Sequence, residues 1–245
     1  MIKPDCYAKM GKIIDAIAAN GFIINKLKMS RFNKTTAEEF YGEHKGKPFF
    51  NDLVNFITSD VVVGLELVAE NAIEKWRKVI GPTSTDVAKR EAPGSLRALF
   101  GTDNTKNAVH GSDSSGSAKR ETAFFFNEDN PKMKTTAILN NCSLCMIKPH
   151  IIRQGIAGKI VDIILAEGFE ISAMELFNLD RPAAEEFLDV YKGVLPEYVP
   201  LIEHVSTGPL LVLEVRQENV VNTFRSLVGP NDPEIAKYLR PNTLR

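Results

Sequence analysis

The stretch NAVHGSDSSGSAKRETAFFF, residues 107–126, places one histidine among residues that suit acid–base or covalent chemistry. His110 stands between an apolar pair and a run of glycine and small hydroxyl residues, and a helix start follows. A histidine in this setting is a candidate nucleophile, general base, metal ligand or turn residue.

Spacing excludes three familiar kinds of site. Gly111 and Gly116 are followed by Ser117 rather than by lysine, so the stretch is not a P-loop. No serine here stands in the G-x-S-x-G pattern of a hydrolase nucleophile. The four histidines lie far apart with no metal-ligand spacing, and Cys142 and Cys145 have no second pair, so we expect no protein-held metal.

A histidine that accepts a phosphoryl group fits the pattern better. Such a residue needs one ring nitrogen free and the other held by an acceptor, for which Glu121 and Ser112 are candidates. It also needs cations and neutral donors around the transferred group, because negative charge spreads over the phosphoryl oxygens. The candidate donors are Lys3, Arg77, Arg97 and the hydroxyl of Thr83.

The segments that position these residues belong to an internal sequence repeat. MIKPD at Met1–Asp5 returns as MIKPH at Met146–His150, AEEF at residues 37–40 returns at 184–187, and PGSLR ending at Arg97 returns as PNTLR ending at Arg245. The repeat predicts a first domain at 1–127, a linker at 128–141 and a second domain at 142–245. The second copy ends before a counterpart of His110 and the first begins inside its first strand, so we expect a fragment with a truncated second domain.

Local patterns within each copy predict an α+β fold. FIINKLKM and VVVGLELV read as strands, helical spacing precedes and separates them, and ETAFFF from Glu121 reads as a final strand. This order predicts two tandem ferredoxin-like (βαββαβ) sandwiches.

Composition limits the classes of partner. The 245 residues are 44% hydrophobic and 25% charged with a formal net charge of −1, which is typical of a globular protein and does not favour nucleic acid as a partner. No apolar run approaches the ~20 residues of a membrane-spanning helix, and three cysteines do not form a disulfide framework, so we expect a cytoplasmic protein without a membrane partner.

The residues resemble the nucleoside diphosphate kinase family. NAVHGSDS matches the N-x-x-H-G-S-D active-site motif, and the first copy also carries the family's K-P-D at Lys3–Asp5 and its K-P-F-F at Lys47–Phe50. The resemblance covers the first copy and about two thirds of a second domain. The tandem arrangement and a longer loop between Thr83 and Arg97 are similar to the homolog 7 branch of the family, which is associated with cilia and centrosomes.

The resemblance implies a role for each matching position. His110 is the phosphohistidine nucleophile of a ping-pong phosphotransferase that uses NTP and NDP, and Ser112 and Glu121 orient its ring. The nucleotide-binding residues implied are Lys3, Tyr41, Arg77, Thr83 and Arg97 at the phosphates, Phe49 and Leu53 at the base, and Asn107 with Lys3 at the ribose. Mg²⁺ is expected as a cofactor held mainly by the nucleotide phosphates.

The second copy departs from the family pattern, since His150 stands for the aspartate and Asn231 for the threonine. We therefore expect activity in the first domain only. The alternative is a structural protein that uses kinase-like domains as a scaffold, with tubulin, the γ-tubulin ring complex or axonemal doublets as partners, in the axoneme, centrosome or spindle.

Overall fold

The computed structural model describes residues 1–127 and 133–245, which form two compact units. The first unit is Met1–Thr136 with Gly155–Asp162, and the second is Ala137–Gln154 with Ile163–Arg245. Residues 128–132 of the predicted linker lie outside the described residues, so the domain boundaries stay a prediction. In the described ranges no helix has both the length and the apolar character to cross a membrane.

The described residues of the first unit's main segment form two strands and seven helices. They are α1 (Met10–Ala19), β1 (Ile23–Arg31), α2 (Lys34–Phe40), α3 (Phe50–Ile57), β2 (Val61–Val68), α4 (Ala72–Ile80), α5 (Thr85–Glu91), α6 (Leu96–Phe100) and α7 (Ser115–Phe126), with 3₁₀ turns at Pro4–Lys9 and Gly42–His44.

The sheet of this unit leads directly to the candidate histidine. Strands β1 and β2 pair antiparallel, with Leu27 opposite Leu65. Beyond β2, Ile2 forms antiparallel bridges with both Val63 and Val109. The predicted first strand is therefore reduced to one bridging residue, and the chain reaches His110 immediately after the last bridge.

The prediction of a final strand at ETAFFF is wrong, because these residues form the second half of α7. The helix starts at a capping box in which the side chains of Ser114 and Ser117 each bond the other's backbone N–H. Three consecutive phenylalanines favour a strand by propensity alone. Burial decides the matter, because Phe124 and Phe125 pack into the core beside Phe32.

The second unit repeats this α+β construction. Its strands β3 (Cys142–Ile147) and β4 (Glu170–Phe177) both pair antiparallel with β5 (Leu210–Arg216), which lies between them. Its helices are α8 (Pro149–Arg153), α9 (Ala157–Ala166, whose first six residues fall in the first unit), α10 (Arg181–Phe187), α11 (Tyr198–Val205), α12 (Val220–Val228) and α13 (Pro233–Leu239), with a 3₁₀ turn at Asp189–Tyr191. Antiparallel strands with helices in both units confirm the α+β class.

Candidate functional site

The imidazole of His110 is held from one side by a carboxylate. Its Nε2 lies 2.8 Å from Oε2 of Glu121, which α7 carries to this point. The hydroxyl of Ser112 donates to the same oxygen at 2.6 Å. Ser112 therefore orients Glu121 rather than contacting the ring. A proton on Nε2 satisfies the carboxylate and leaves Nδ1 with its lone pair, without a hydrogen-bond partner among residues 1–127 and 133–245.

Burial and hydrogen bonding together set the ionisation of this pair. Burial lowers the pKa of His110, and the hydrogen bond to Glu121 opposes part of that effect. For Glu121, burial raises the pKa, but the hydrogen bonds from His110 and Ser112 outweigh it and bring the pKa below its ordinary value. The pair at neutral pH is therefore a neutral imidazole beside a carboxylate, which suits a nucleophile.

Aromatic rings restrict the movement of the imidazole. Phe40 meets it edge to face at 5.5 Å between centroids, and Tyr41 does so at 6.1 Å. Tyr41 is 5% exposed and its hydroxyl has no hydrogen-bond partner among the described residues, an unusual state for a buried polar group. Burial also raises the Tyr41 pKa, so the hydroxyl keeps its proton and is available as a donor.

A cavity of about 670 Å³ opens in front of His110. Its size is that of a small-molecule site. All but one of the predicted site residues line it, namely Lys3, Tyr41, Phe49, Leu53, Arg77, Thr83, Arg97, Asn107, His110 and Glu121. The exception is Ser112, which bonds Glu121 and does not line this cavity. The structure thus brings together residues that are up to 118 positions apart in sequence, from Lys3 to Glu121.

Arg97 is fixed in the cavity wall by backbone carbonyls. Its Nη1 donates to the oxygen of Gly81 at 2.9 Å and its Nη2 to that of Val109 at 3.1 Å, while Nε has no partner among the described residues. Burial lowers the pKa of Arg97 to about 10, and nearby Arg77 adds to the effect. Arg97 stays protonated at pH 7 without a carboxylate partner, so an anion in the cavity would complete its environment.

Lys3 and Asn107 form a buried pair on another wall. Lys3 Nζ donates to Oδ1 of Asn107 at 2.7 Å and to the carbonyl of Thr105 at 3.1 Å. The amide of Asn107 donates in turn to the carbonyls of Thr83 and Asn104. Asn107 is 1% exposed, so its first effect is to hold Lys3 and two loops in place. Burial lowers the pKa of Lys3 to about 8.

The remaining predicted residues occupy the mouth and one side of the cavity. Phe49 is 46% exposed, with Lys47 Nζ 5.8 Å and the His44 ring 5.7 Å from its ring centroid, and Leu53 is buried. Arg77 has no hydrogen bond or ion pair with any described residue. The hydroxyl of Thr83 lies 3.4 Å from Arg97 Nη1. Roles for these residues in binding stay predictions.

The donor set suits an anion rather than a metal held by the protein alone. Among the described residues no group of three or more histidine, cysteine, aspartate or glutamate side chains could hold a metal ion. A divalent cation in this cavity would need ligands from a bound anion.

The second unit reproduces one corner of the site. Arg245 Nη1 donates to the carbonyls of Gly229 and Pro230, as Arg97 does to Gly81. In contrast, His150 stands at the position of Asp5, and its Nδ1 lies 3.0 Å from Nε2 of His204.

The sequence assigns no role to several residues that line the cavity, and three of them have contacts that bear on the site. Phe40 packs on His110, and the repeated AEEF segment was a signal for it. Arg120 lines the cavity and pairs with Glu43 at 2.9 Å, but no pattern marked either residue.

The family model that describes nucleoside diphosphate kinase matches residues 1–131 and 141–245. The chain is 46% identical over its full length to nucleoside diphosphate kinase homolog 7 of Rattus norvegicus, covering 62% of that protein. It is 48% identical over 128 residues to the nucleoside diphosphate kinase of Aquifex aeolicus, covering 51% of this chain and 90% of the relative. A crystal structure of the Aquifex aeolicus enzyme superposes with a TM-score of 0.50 over the same shares of the two chains.

Proposed function

The chain belongs to the nucleoside diphosphate kinase family, and from this premise we propose that it transfers the γ-phosphate of an NTP to an NDP through a phosphohistidine at His110. The observation that carries the proposal is the His110–Glu121 pair facing a cavity with uncompensated cations. The chain spans about 62% of the homolog 7 relatives' length, so activity of the whole protein is part of the proposal.

The first half-reaction follows from the tautomer. The Nδ1 lone pair of His110 attacks the γ-phosphorus, an N–P bond forms, and the P–O bond to the β-phosphate breaks, releasing NDP with that electron pair. Positive charge that develops on the imidazole is stabilised by the Glu121 carboxylate at 2.8 Å. In the second half-reaction a terminal oxygen of another NDP attacks the phosphohistidine, and His110 returns to its neutral form.

The cavity residues divide between the two ends of the nucleotide. Lys3, Arg97, Arg77 and the Tyr41 hydroxyl face the charge that spreads over the transferred phosphoryl oxygens. The exposed ring of Phe49 offers a stacking face, and stacking discriminates weakly among bases because every base has a π-face. We therefore expect several NTPs to serve as donors.

Mg²⁺ fits this site as a partner of the nucleotide. The described residues offer cations and neutral donors but no cluster of acidic ligands, so the ion would be held by phosphate oxygens and water. When bound, it neutralises phosphate charge.

The test is a phosphotransfer assay with [γ-³²P]ATP on wild type, His110→Gln and, as a matched control, His204→Gln in the second unit. We expect wild type and His204→Gln to form an acid-labile phosphoprotein that ADP or GDP discharges, and His110→Gln to form none. Equal labelling of His110→Gln, or an unlabelled wild type, refutes the proposal. The complete loss of label in His110→Gln also tests whether activity resides in the first unit only.

A scaffold role is the second candidate, favoured by a second unit that keeps its fold while Asn231 replaces the predicted threonine. Under this proposal the chain binds microtubule or centrosomal proteins in the cytoplasm, the axoneme or the spindle, independently of turnover. Cosedimentation with taxol-stabilised microtubules should then be equal for wild type and His110→Gln. The absence of either protein from the pellet argues against it.

A further inference from the structure

The backbone just before His110 adopts a strained turn. Val109 N–H donates to the carbonyl of Asn107 at 2.8 Å, which closes a three-residue γ-turn around Ala108. Ala108 has a φ of 70°, a conformation that costs energy for a residue with a Cβ, and it is fully buried. This turn directs Asn107 towards Lys3 and carries the chain on to His110.

One short segment bonds both polar groups of the strained residue. The backbone N–H of Lys3 donates to the Ala108 carbonyl at 2.9 Å, and Oδ2 of Asp5 accepts from the Ala108 N–H at 3.0 Å. Ile2 bridges the next residue, Val109. Because the γ-turn removes the Ala108 N–H from any sheet ladder, the Asp5 carboxylate is what satisfies it.

The mechanism proposed above does not use Asp5, although this residue is a partly buried acid. Its Oδ1 has no hydrogen-bond partner among the described residues, and it forms no ion pair with them. Burial raises its pKa. An unsatisfied buried carboxylate oxygen is costly, and the hydrogen bond that the other oxygen of Asp5 accepts from Ala108 N–H offsets part of that cost.

We propose that Asp5 is a positioning residue that holds the strained turn at Ala108 and thereby fixes Asn107 and His110 in the cavity. The proposal deepens the phosphotransfer function and rests on it. A competing explanation is electrostatic: burial lowers the pKa of Lys3, and the charge of Asp5 opposes that effect. The two explanations differ in whether the carboxylate acts as a hydrogen-bond acceptor or as a charge.

Four variants separate these explanations: Asp5→Ala, Asp5→Asn, Ala108→Gly, and the double variant Asp5→Ala/Ala108→Gly. The readout is the single-turnover rate of His110 phosphorylation at saturating NTP. We expect Asp5→Ala to lower this rate about 10-fold, because the strain of one backbone residue corresponds to a rate change of about that size when its supporting hydrogen bond is removed. Asp5→Asn keeps an acceptor and should stay within about threefold of wild type. In the double variant, glycine adopts a positive φ without strain, so at least about threefold of the rate should return.

The control for the rescue is Asp5→Ala/Ala19→Gly, since Ala19 is an exposed residue at the end of α1. It should recover nothing. Urea unfolding of the same variants gives a readout that needs no activity. Asp5→Ala should lower the free energy of unfolding less in the Ala108→Gly background than in wild type.

The inference is overturned if Asp5→Asn slows phosphorylation as much as Asp5→Ala does. It is also overturned if the effects of Asp5→Ala and Ala108→Gly are additive in both the phosphorylation rate and the free energy of unfolding. An unlabelled wild-type protein refutes the phosphotransfer function alone, because the unfolding cycle still decides the role of Asp5.

Discussion

Replacing Glu121 by glutamine tests the chemistry of the site most directly. The substitution keeps the size of the side chain and a hydrogen-bond acceptor for His110 Nε2, and it removes the charge. A hydrogen bond to a charged group contributes about 1.5–3 kcal/mol against about 0.5–1.5 for a neutral one. Over the 2.8 Å contact to His110, the loss is about 1–2 kcal/mol of transition-state stabilisation. We therefore expect the single-turnover phosphorylation rate at pH 8 to fall about 5- to 30-fold.

The same variant should also shift the pH dependence of the phosphorylation rate to lower pH. The reactive form of His110 is neutral, so the rate is lost as the pH falls through the pKa of His110 in the folded protein. Burial lowers that pKa and Glu121 raises it in part. Without the carboxylate the pKa falls further, and the acid limb of the rate profile moves to lower pH while the plateau drops.

The assay is rapid-quench formation of acid-labile phosphoprotein between pH 5 and pH 8.5, with [γ-³²P]ATP at saturation. Glu38→Gln is the matched control, because Glu38 is an exposed glutamate of α2 whose ion pair with Lys34 is long, at 3.9 Å. It should leave both the plateau and the acid limb unchanged. A Glu121→Gln protein with a wild-type plateau, or with an acid limb moved to higher pH, refutes the reasoning about the dyad.

Three further predictions concern single side chains. Tyr41→Phe should leave the free energy of unfolding unchanged or raise it by about 0.5 kcal/mol, because the lost hydroxyl is unpartnered, while the KM for NTP rises; a lower stability with an unchanged KM would contradict this. Gly111→Ala places a Cβ 2.7 Å from the Trp76 ring and should destabilise by about 1–3 kcal/mol in thermal unfolding. Gly116→Ala should not, because its Cβ would meet no atom closer than Ser114 Oγ at 4.0 Å. Glu214→Gln should lower the free energy of unfolding by about 1–3 kcal/mol at pH 7. Hydrogen bonds to Glu214 outweigh burial and lower its pKa, so its stabilising contribution is present above about pH 4–5 and is lost as the pH falls through the folded-state pKa. Urea unfolding should therefore show wild type and variant converging in stability at low pH.

Much of the site could be predicted from sequence because the motif is local. Residues 107–121 contain the histidine, the serine and the carboxylate within one turn and one helix, so their spacing alone indicates a held imidazole. The strands β1 and β2 were also predictable, since alternation and continuous apolar runs report burial. The repeat predicted that two related segments exist, and the family model matches both.

Local patterns gave wrong or incomplete results where distant contacts decide. ETAFFF has strand propensity, but the capping box at Ser114 and burial of Phe124 and Phe125 make it helix. Ser112 was expected at the imidazole, and the geometry gives its hydroxyl to Glu121 instead. Propensity and spacing carry no information about which of two nearby acceptors a hydroxyl will reach.

The sequence by itself determined which residue types the candidate site contains: a histidine with a carboxylate eleven residues later, and cations of fixed type, in a chain with an internal repeat. Only the tertiary structure decided how these groups meet. The bond from Lys3 to Asn107 spans 104 residues, and that from Asp5 to the strained Ala108 spans 103. These contacts form only in the folded protein, where Ile2 bridges Val63 and Val109 and brings the two segments together. The folded core also stabilises the strained turn at Ala108, which the chain would avoid in isolation.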